Sequence, residues 1–311
     1  MKTAPSVLWH FALVLFGLTM IAPLALMVRT ALGTSQIGLL PGEPIWHVFI
    51  PMQWHWHNFY EVWHRPEINF LRYYFNSLFV TVTVTAGQVF TSACAAYAFA
   101  RLRWPGRDRV FLVYLATMMV PPVILLIPQF ALLKEIPRWL QAIAPFVDWT
   151  ALRYLGRGPD PSVVGRLVGL DSYFALIVPT MFSFSAFGTF LLRQFFLTIP
   201  RELDEAALMD GATHRQIFFA VILPLAGPGL TTLALFTFMW TWGSLLWPVV
   251  VTSVDSLRTL PLGLMFFQYT NGTQWHYVMA ASLLMLLPVV IVFLIGQRAF
   301  IRGLTMGAVK G

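Results

Sequence analysis

The sequence predicts an all-α integral membrane protein with six transmembrane helices, and three observations predict it. Of 311 residues, 58% are hydrophobic and only 11% are charged, less than half the roughly 25% charge of a soluble domain. The few charges are bunched, leaving six charge-free stretches at 3 to 28, 73 to 100, 110 to 133, 172 to 192, 216 to 254 and 259 to 297. Each can hold the ~20 apolar residues that cross a hydrocarbon core as a helix. Inside lipid every backbone polar group must be paired within its own segment, which leaves helix as the form for such runs.

The first run, Val7 to Val28, exceeds the ~7–15-residue apolar core of a secretory signal and has no small-residue cleavage site after it. It is expected to stay as the first helix. Residues 29 to 72 then form an outside segment whose rings Trp46, Trp54, Trp56, Tyr60 and Trp63 suit the headgroup layer. A stretch near His55 to Trp63 is expected to lie flat on it. His55, His57 and His64 lack a fourth ligand at metal-binding spacing, so the interfacial reading is preferred. The second span holds the single cysteine, Cys94, among alanines, read as a packing residue. In the third span Pro121, Pro122 and Pro128 each remove a backbone donor and predict kinks. Residues 134 to 171 read as an external insertion with an amphipathic stretch around Arg138 to Phe146. Pro261, Gly263, Asn271 and Gly272 interrupt the last run, placing the sixth helix at about Tyr277 to Gln297.

Orientation follows from basic residues, which short loops retain on the cytoplasmic side. Arg101, Arg103, Arg107 and Arg109 crowd nine residues between the second and third spans, and Arg298, Arg302 and Lys310 follow the sixth. Both termini are therefore expected in the cytoplasm. The loop at 134 to 171 carries Lys134, Arg138, Arg153, Arg157 and Arg166 against this topology; the tighter arginine cluster decides. Juxtamembrane anchoring to lipid accounts for the net charge of +7 without any nucleic acid.

The dense acidic cluster lies between the fourth and fifth spans: Arg201-Glu202-Leu203-Asp204-Glu205-Ala206-Ala207-Leu208-Met209-Asp210-Gly211. Pro200 suits the first position of a helix, and three carboxylates in the next turn suit the positive end of its dipole. Gly211 can adopt the left-handed conformation that closes it. Thr213 and Gln216 have capping-box spacing, which starts a second helix, with Pro224 further along. The product is a protruding knob, open to two readings: a docking element, with Ala206 and Ala207 keeping one side thin, or a solvated hairpin with no partner.

Glu205-Ala206-Ala207, three residues, Gly211, nine residues, then Val221-Ile222-Leu223-Pro224 resembles the EAA loop of bacterial ABC importer permeases. Asn76-Ser77, Ala96-Tyr97-Ala98-Phe99-Ala100-Arg101 and Pro105-Gly106-Arg107 look like the maltose-type carbohydrate permeases. So do Arg258-Thr259-Leu260-Pro261-Leu262-Gly263-Leu264 and the ending Arg302 to Gly311. The resemblance implies a type I ABC importer permease fold. It divides the chain into an N-terminal helix and external segment (1–71), a transmembrane domain (72–297) with a coupling loop at about 193–217, and a cytoplasmic tail (298–311). It also implies a bacterial inner-membrane protein that works with a second permease subunit, two ABC ATPase subunits and an extracytoplasmic substrate-binding protein. ATP and Mg would be held by the ATPase subunits, and no cofactor or metal by this chain, which has no GxxxxGK[ST] sequence. Glu205, Ala206, Ala207, Gly211, Leu223 and Pro224 would form the ATPase-coupling loop. The cargo implied is a sugar or related polyol, and no catalytic residue is expected.

Asn76, Gln88, Ser183 and Trp242 are candidates for the translocation path, and Gln88, Ser183 and Ser185 serve equally as helix-packing groups. Where relatives often carry Trp-Asn, Trp242 is followed here by Gly243, so no solute contact transfers to that position. The alternative function is an ion-coupled secondary transporter. Such machines keep ionisable groups at membrane depth, and none of the six charge-free stretches supplies one.

Overall fold

The structure, a computed structural model, describes residues 4–34, 45–50, 53–66, 68–143, 168–183, 185–269 and 273–308. Every regular element among them is helical. In chain order these are α1 (Ala4–Ala31), α2 (His57–His64), α3 (Phe70–Ala100), α4 (Arg107–Ala116), α5 (Leu126–Ile143), α6 (Tyr173–Ser183), α7 (Ser185–Thr198), α8 (Glu202–Met209), α9 (Gly227–Trp242), α10 (Leu246–Val251), α11 (Leu260–Tyr269) and α12 (Trp275–Ala308), with shorter turns between them.

Among the described residues, three helices are long and apolar enough to cross a membrane, at Trp9–Ala31, Phe70–Ala100 and Trp275–Arg298. Three bent pairs bring the total to six when each counts as one crossing: Arg107–Met119 with Pro122–Leu140 (89°), Tyr173–Phe182 with Ser185–Thr198 (47°) and His214–Leu225 with Gly227–Trp242 (77°). The sharpest break falls at Pro121–Pro122, where consecutive residues lack amide donors. Pro128 causes no kink of its own, because it sits in the first turn of α5, where the missing N–H has no partner to lose.

The observed ends differ from the charge-free stretches in three places. The third crossing runs past Leu133, and α5 carries Lys134, Glu135 and Arg138 in its second half, with Arg138 and Glu135 paired at 2.7 Å. Of the amphipathic stretch expected around 138–146, residues 138–143 form the end of α5, and 144–146 lie outside the described residues. The fourth crossing extends to Thr198 and so takes in Arg193. The start of the last apolar run is a separate helix, α11, and α12 begins at Trp275. Cys94 is exposed rather than packed, although its neighbours Ala93 and Ala96 are buried. On a helix, neighbouring positions face different directions.

The chain forms two compact units: Met1–Tyr74 with Leu260–Pro288, and Phe75–Thr259 with Val289–Gly311. In the first, most of α1 is exposed, with Trp9, Phe11, Leu13 and Phe16 all more than 60% accessible, as befits a helix apolar on all sides. Its end is fixed by Asn58 on α2, whose amide donates to the carbonyls of Ala31 (2.8 Å) and Gly33 (2.9 Å). The stretch expected to lie at the interface is thus helical and tied to α1. Trp63 packs edge-on against Phe70 at 4.9 Å, and the Arg65 guanidinium lies 4.3 Å from the Tyr277 ring centre.

Among its described residues the second unit holds two apolar clusters. One gathers Val80, Val84, Leu133, Ala175, Leu176 and Val251; the other gathers Ala93, Ala96, Tyr97, Ala100, Leu192, Phe196, Ile217, Phe218, Ile222, Ala226 and Leu233. At ~1.5 Å per residue they lie roughly 20 Å apart along α3. Small residues let the helices close: a Cβ on Gly188 would meet Ser92 Oγ at 2.6 Å and the Leu233 methyls at 3.1 Å.

Asp171 and Asn76 tie down the loop after α10. Asp171 has φ 55°, and its N–H donates to the carbonyl of Val251 at 2.9 Å. Its carboxylate accepts from the Ser253 amide and hydroxyl and from the Val254 amide. Burial pushes this carboxyl up, but the Ser253 hydroxyl and the two amides outweigh it and hold the group below its ordinary value. A depressed pKa stabilises the fold above the unfolded-state value, and the effect is lost as pH falls through the folded-state value. Asp171→Asn is therefore expected to unfold at lower temperature than wild type at neutral pH. The gap should close as acid protonates the wild-type carboxyl, which thermal melts in detergent across that window will measure.

Candidate functional site

The acidic segment folds into a self-capped hairpin. Helix α8 starts after Arg201, whose carbonyl accepts from the amides of Asp204 (3.0 Å) and Glu205 (3.1 Å). Pro200 therefore stands just before the helix and not at its first position. Glu202, Asp204 and Glu205 all lie in the first turn, where they complement the free N–H groups. At the other end Ala212 N–H donates to Ala207 O (2.9 Å) and Gly211 N–H to Leu208 O (3.0 Å). These two bonds make a Schellman closure, and Gly211 takes the left-handed conformation it requires at φ 81°.

One residue later the chain is capped again. The Thr213 hydroxyl accepts from Gln216 N–H at 3.4 Å, and Gln216 Oε1 accepts from Thr213 N–H at 2.7 Å. The helix that follows widens into a π-helix over Ile217–Ile222 before Leu223 and Pro224. Proline at 224 cannot donate and its ring crowds the preceding turn, a disturbance that a wider turn absorbs. The 77° bend to α9 follows at Ala226.

Two residues fasten this hairpin to α3 and α7. Arg101 has a side chain only 3% exposed and pairs with Asp204 at 3.3 Å. Its Nη2 donates to the carbonyls of Phe196 (2.6 Å) and Ile199 (2.8 Å) at the end of α7, where helix carbonyls lack their full intrahelical complement. The Tyr97 hydroxyl donates to His214 O at 3.3 Å, and its ring packs on Phe218 at 5.1 Å. Ala207, Ala212, Val221 and Leu223 pack against the cluster below. Glu205 and Ala206 face outward, together with Leu203 (42%), Leu208 (45%) and Met209 (88% exposed). Glu202, Glu205, Ala206 and Met209 fall three or four residues apart and share one side of α8. Sequence reasoning missed Arg101, Tyr97 and Met209 as parts of this site. The signal available for Arg101 was an arginine closing a span, which basic clustering explained by topology alone.

A described protein family, the binding-protein-dependent transport system inner membrane component, matches residues 88–306. The chain belongs to this family. The inner-membrane component is 33% identical over 302 residues to the sn-glycerol-3-phosphate transport system permease protein UgpE of Yersinia pestis bv. Antiqua (strain Antiqua), covering 95% of this chain and 94% of that one. It is 32% identical over 236 residues to the arabinooligosaccharides transport system permease protein AraQ of Halalkalibacterium halodurans, covering 76% and 73%. Its fold matches a chain of a bacterial ABC transporter involved in import of the acidic polysaccharide alginate, with TM-score 0.70 at 22% identity over 95% of this chain and 96% of that one. The protein is thus a membrane permease of the ABC importer class, and the ion-coupled alternative finds no support.

The candidate path residues of this permease are packed inside its second unit. Asn76 donates to the carbonyls of Ser256 (3.0 Å) and Arg258 (2.9 Å) and accepts from the Tyr173 hydroxyl (2.7 Å). It tethers the segment that leads into Arg258-Thr259-Leu260-Pro261. Gln88 is 1% exposed with Nε2 unpaired among the described groups. Trp242 is 2% exposed and stacks on Phe238 at 5.8 Å. It lines, with Ser77, Thr81, Thr180, Thr241 and Ser244, a cleft of about 10 Å³, which is barely room for one water. Ser183 ends α6, and its side chain lies outside the described residues.

Proposed function

We propose that this chain is one of two permease subunits of an ATP-driven importer, carrying a sugar or related polyol received from an extracytoplasmic binding protein. A separate pair of ABC ATPase subunits would hold ATP and Mg, and both termini would lie in the cytoplasm. The observation that carries the reading is the hairpin at 200–216: capped at both helix ends by its own backbone and side chains, yet presenting exposed Ala206 and Met209 on a polar knob. Exposed apolar side chains on a rigid protrusion fit insertion into a partner's cleft. Glu205 would add a polar contact there, and the ion pair to α3 would pass the partner's motion to the membrane helices. The relatives' names, which refer to glycerol-3-phosphate and arabinooligosaccharides, support the polyol and sugar class.

The test is reconstitution in liposomes with the subunits that co-purify with it. Uptake of the ligand held by the co-purifying binding protein should require internal or external ATP on the ATPase side. The permease alone should hydrolyse no ATP, and Met209→Glu should abolish co-purification of the ATPase while leaving the melting temperature unchanged. Hydrolysis by the isolated chain, or uptake driven by an ion gradient without ATP, would overturn the reading.

A further inference from the structure

Beside the hairpin lies a second cavity, of about 680 Å³, lined by Arg103, Trp104, Gly106, Arg107, Asp108, Arg109 and Arg201. Four guanidiniums share it with one carboxylate, and that carboxylate is engaged: Asp108 Oδ1 is 3.1 Å from Arg107 Nε and 4.0 Å from Arg193 Nη2. Arg107 also donates to Leu102 O at 3.2 Å. The guanidiniums of Arg103, Arg109 and Arg201 have no hydrogen-bond or ion-pair partner among the described residues. Like charges gathered at one concave surface repel unless an anion joins them, and planar guanidinium forks match phosphate oxygens.

Two neighbours say what kind of anion this is. Trp104, at the cavity wall, is 36% exposed with its ring against Phe99 at 5.8 Å, the amphipathic placement favoured at a membrane interface. Directly beyond Arg109, α4 presents Val110 (48%), Leu112 (66%) and Val113 (70%) outward, an uncovered apolar face where acyl chains can lie. A soluble anion would use the arginines but not this face.

We propose that the cavity binds the phosphate of an acidic phospholipid headgroup, held by Arg103, Arg109 and Arg201, with its acyl chains along the exposed side of α4. The proposal needs only the chain's place in a membrane, not its solute or ATPase partner. The experiment compares lipids retained by the purified protein from bilayers of phosphatidylcholine mixed with phosphatidylglycerol, read by native mass spectrometry. Wild type should retain phosphatidylglycerol selectively, and excess inorganic phosphate should leave that retention unchanged. The R103Q/R109Q/R201Q variant should bind it on the order of a hundredfold more weakly, since each basic residue near an anionic surface contributes several-fold. The matching triple lysine variant should keep most of the binding, and all three proteins should melt alike. Equal retention of both lipids, displacement by inorganic phosphate alone, or loss of the ATPase subunits from the glutamine variant with lipid retention unchanged would each overturn it.

Discussion

Gly211→Val is expected to reach the membrane at normal abundance and to lower ATP-dependent uptake at least tenfold. Gly211 holds φ 81° in open space, with nothing within 4 Å of an added Cβ, so the penalty is conformational and not a clash. A left-handed L-residue costs roughly 1–2 kcal/mol, and β-branching makes it worse. Relief comes by unwinding the closure formed by Ala212 on Ala207 and Gly211 on Leu208. The knob then loses the fixed angle between its two helices, while the membrane helices, which do not depend on it, remain. Gly211→Asn is the control: asparagine tolerates this conformation, and uptake should stay within about threefold of wild type. Equal loss in both variants would show that something other than backbone geometry is at work.

Arg101→Met is expected to be the most destabilising single change at the site. It removes the partner of Asp204 and the donor to Phe196 and Ile199 together. Breaking a buried ion pair on one side costs about 3–5 kcal/mol, because the remaining charge stays desolvated. Protease cleavage within 200–216 should speed up by orders of magnitude while the rest of the chain stays resistant. Adding Asp204→Leu should recover a large part of the loss, since no orphaned carboxylate then remains. A double variant as damaged as the sum of the singles would show that the pair is not coupled.

Several features were readable along the chain because they depend on near neighbours. Crossings follow from unbroken apolar runs, and the hairpin from Gly211 and the Thr213–Gln216 pair, each acting within a few residues. Helix ends were less legible. Charge-free stretches stop at the first ionisable group, whereas Arg193 continues inside α7 by donating to Phe99 O (3.3 Å) and lying 4.3 Å from the Phe111 ring centre. A charge that finds partners across the packing no longer ends a helix, and sequence spacing does not reveal those partners. Asn76 is similar: its role as a tether comes from carbonyls about 180 residues away.

The sequence by itself therefore determined that the chain is helical and membrane-embedded, where it turns, and which loop is built to protrude. Lipid exclusion of unpaired backbone and the local stereochemistry of glycine and capping side chains leave little freedom on those points. Only the tertiary structure decided that Arg101 locks the knob to the membrane helices, that the fourth crossing is bent as well as the proline-broken third, and that three unpaired arginines gather around one cavity. Those outcomes depend on side chains meeting from distant parts of the chain, and such meetings are fixed by packing rather than by order along the sequence.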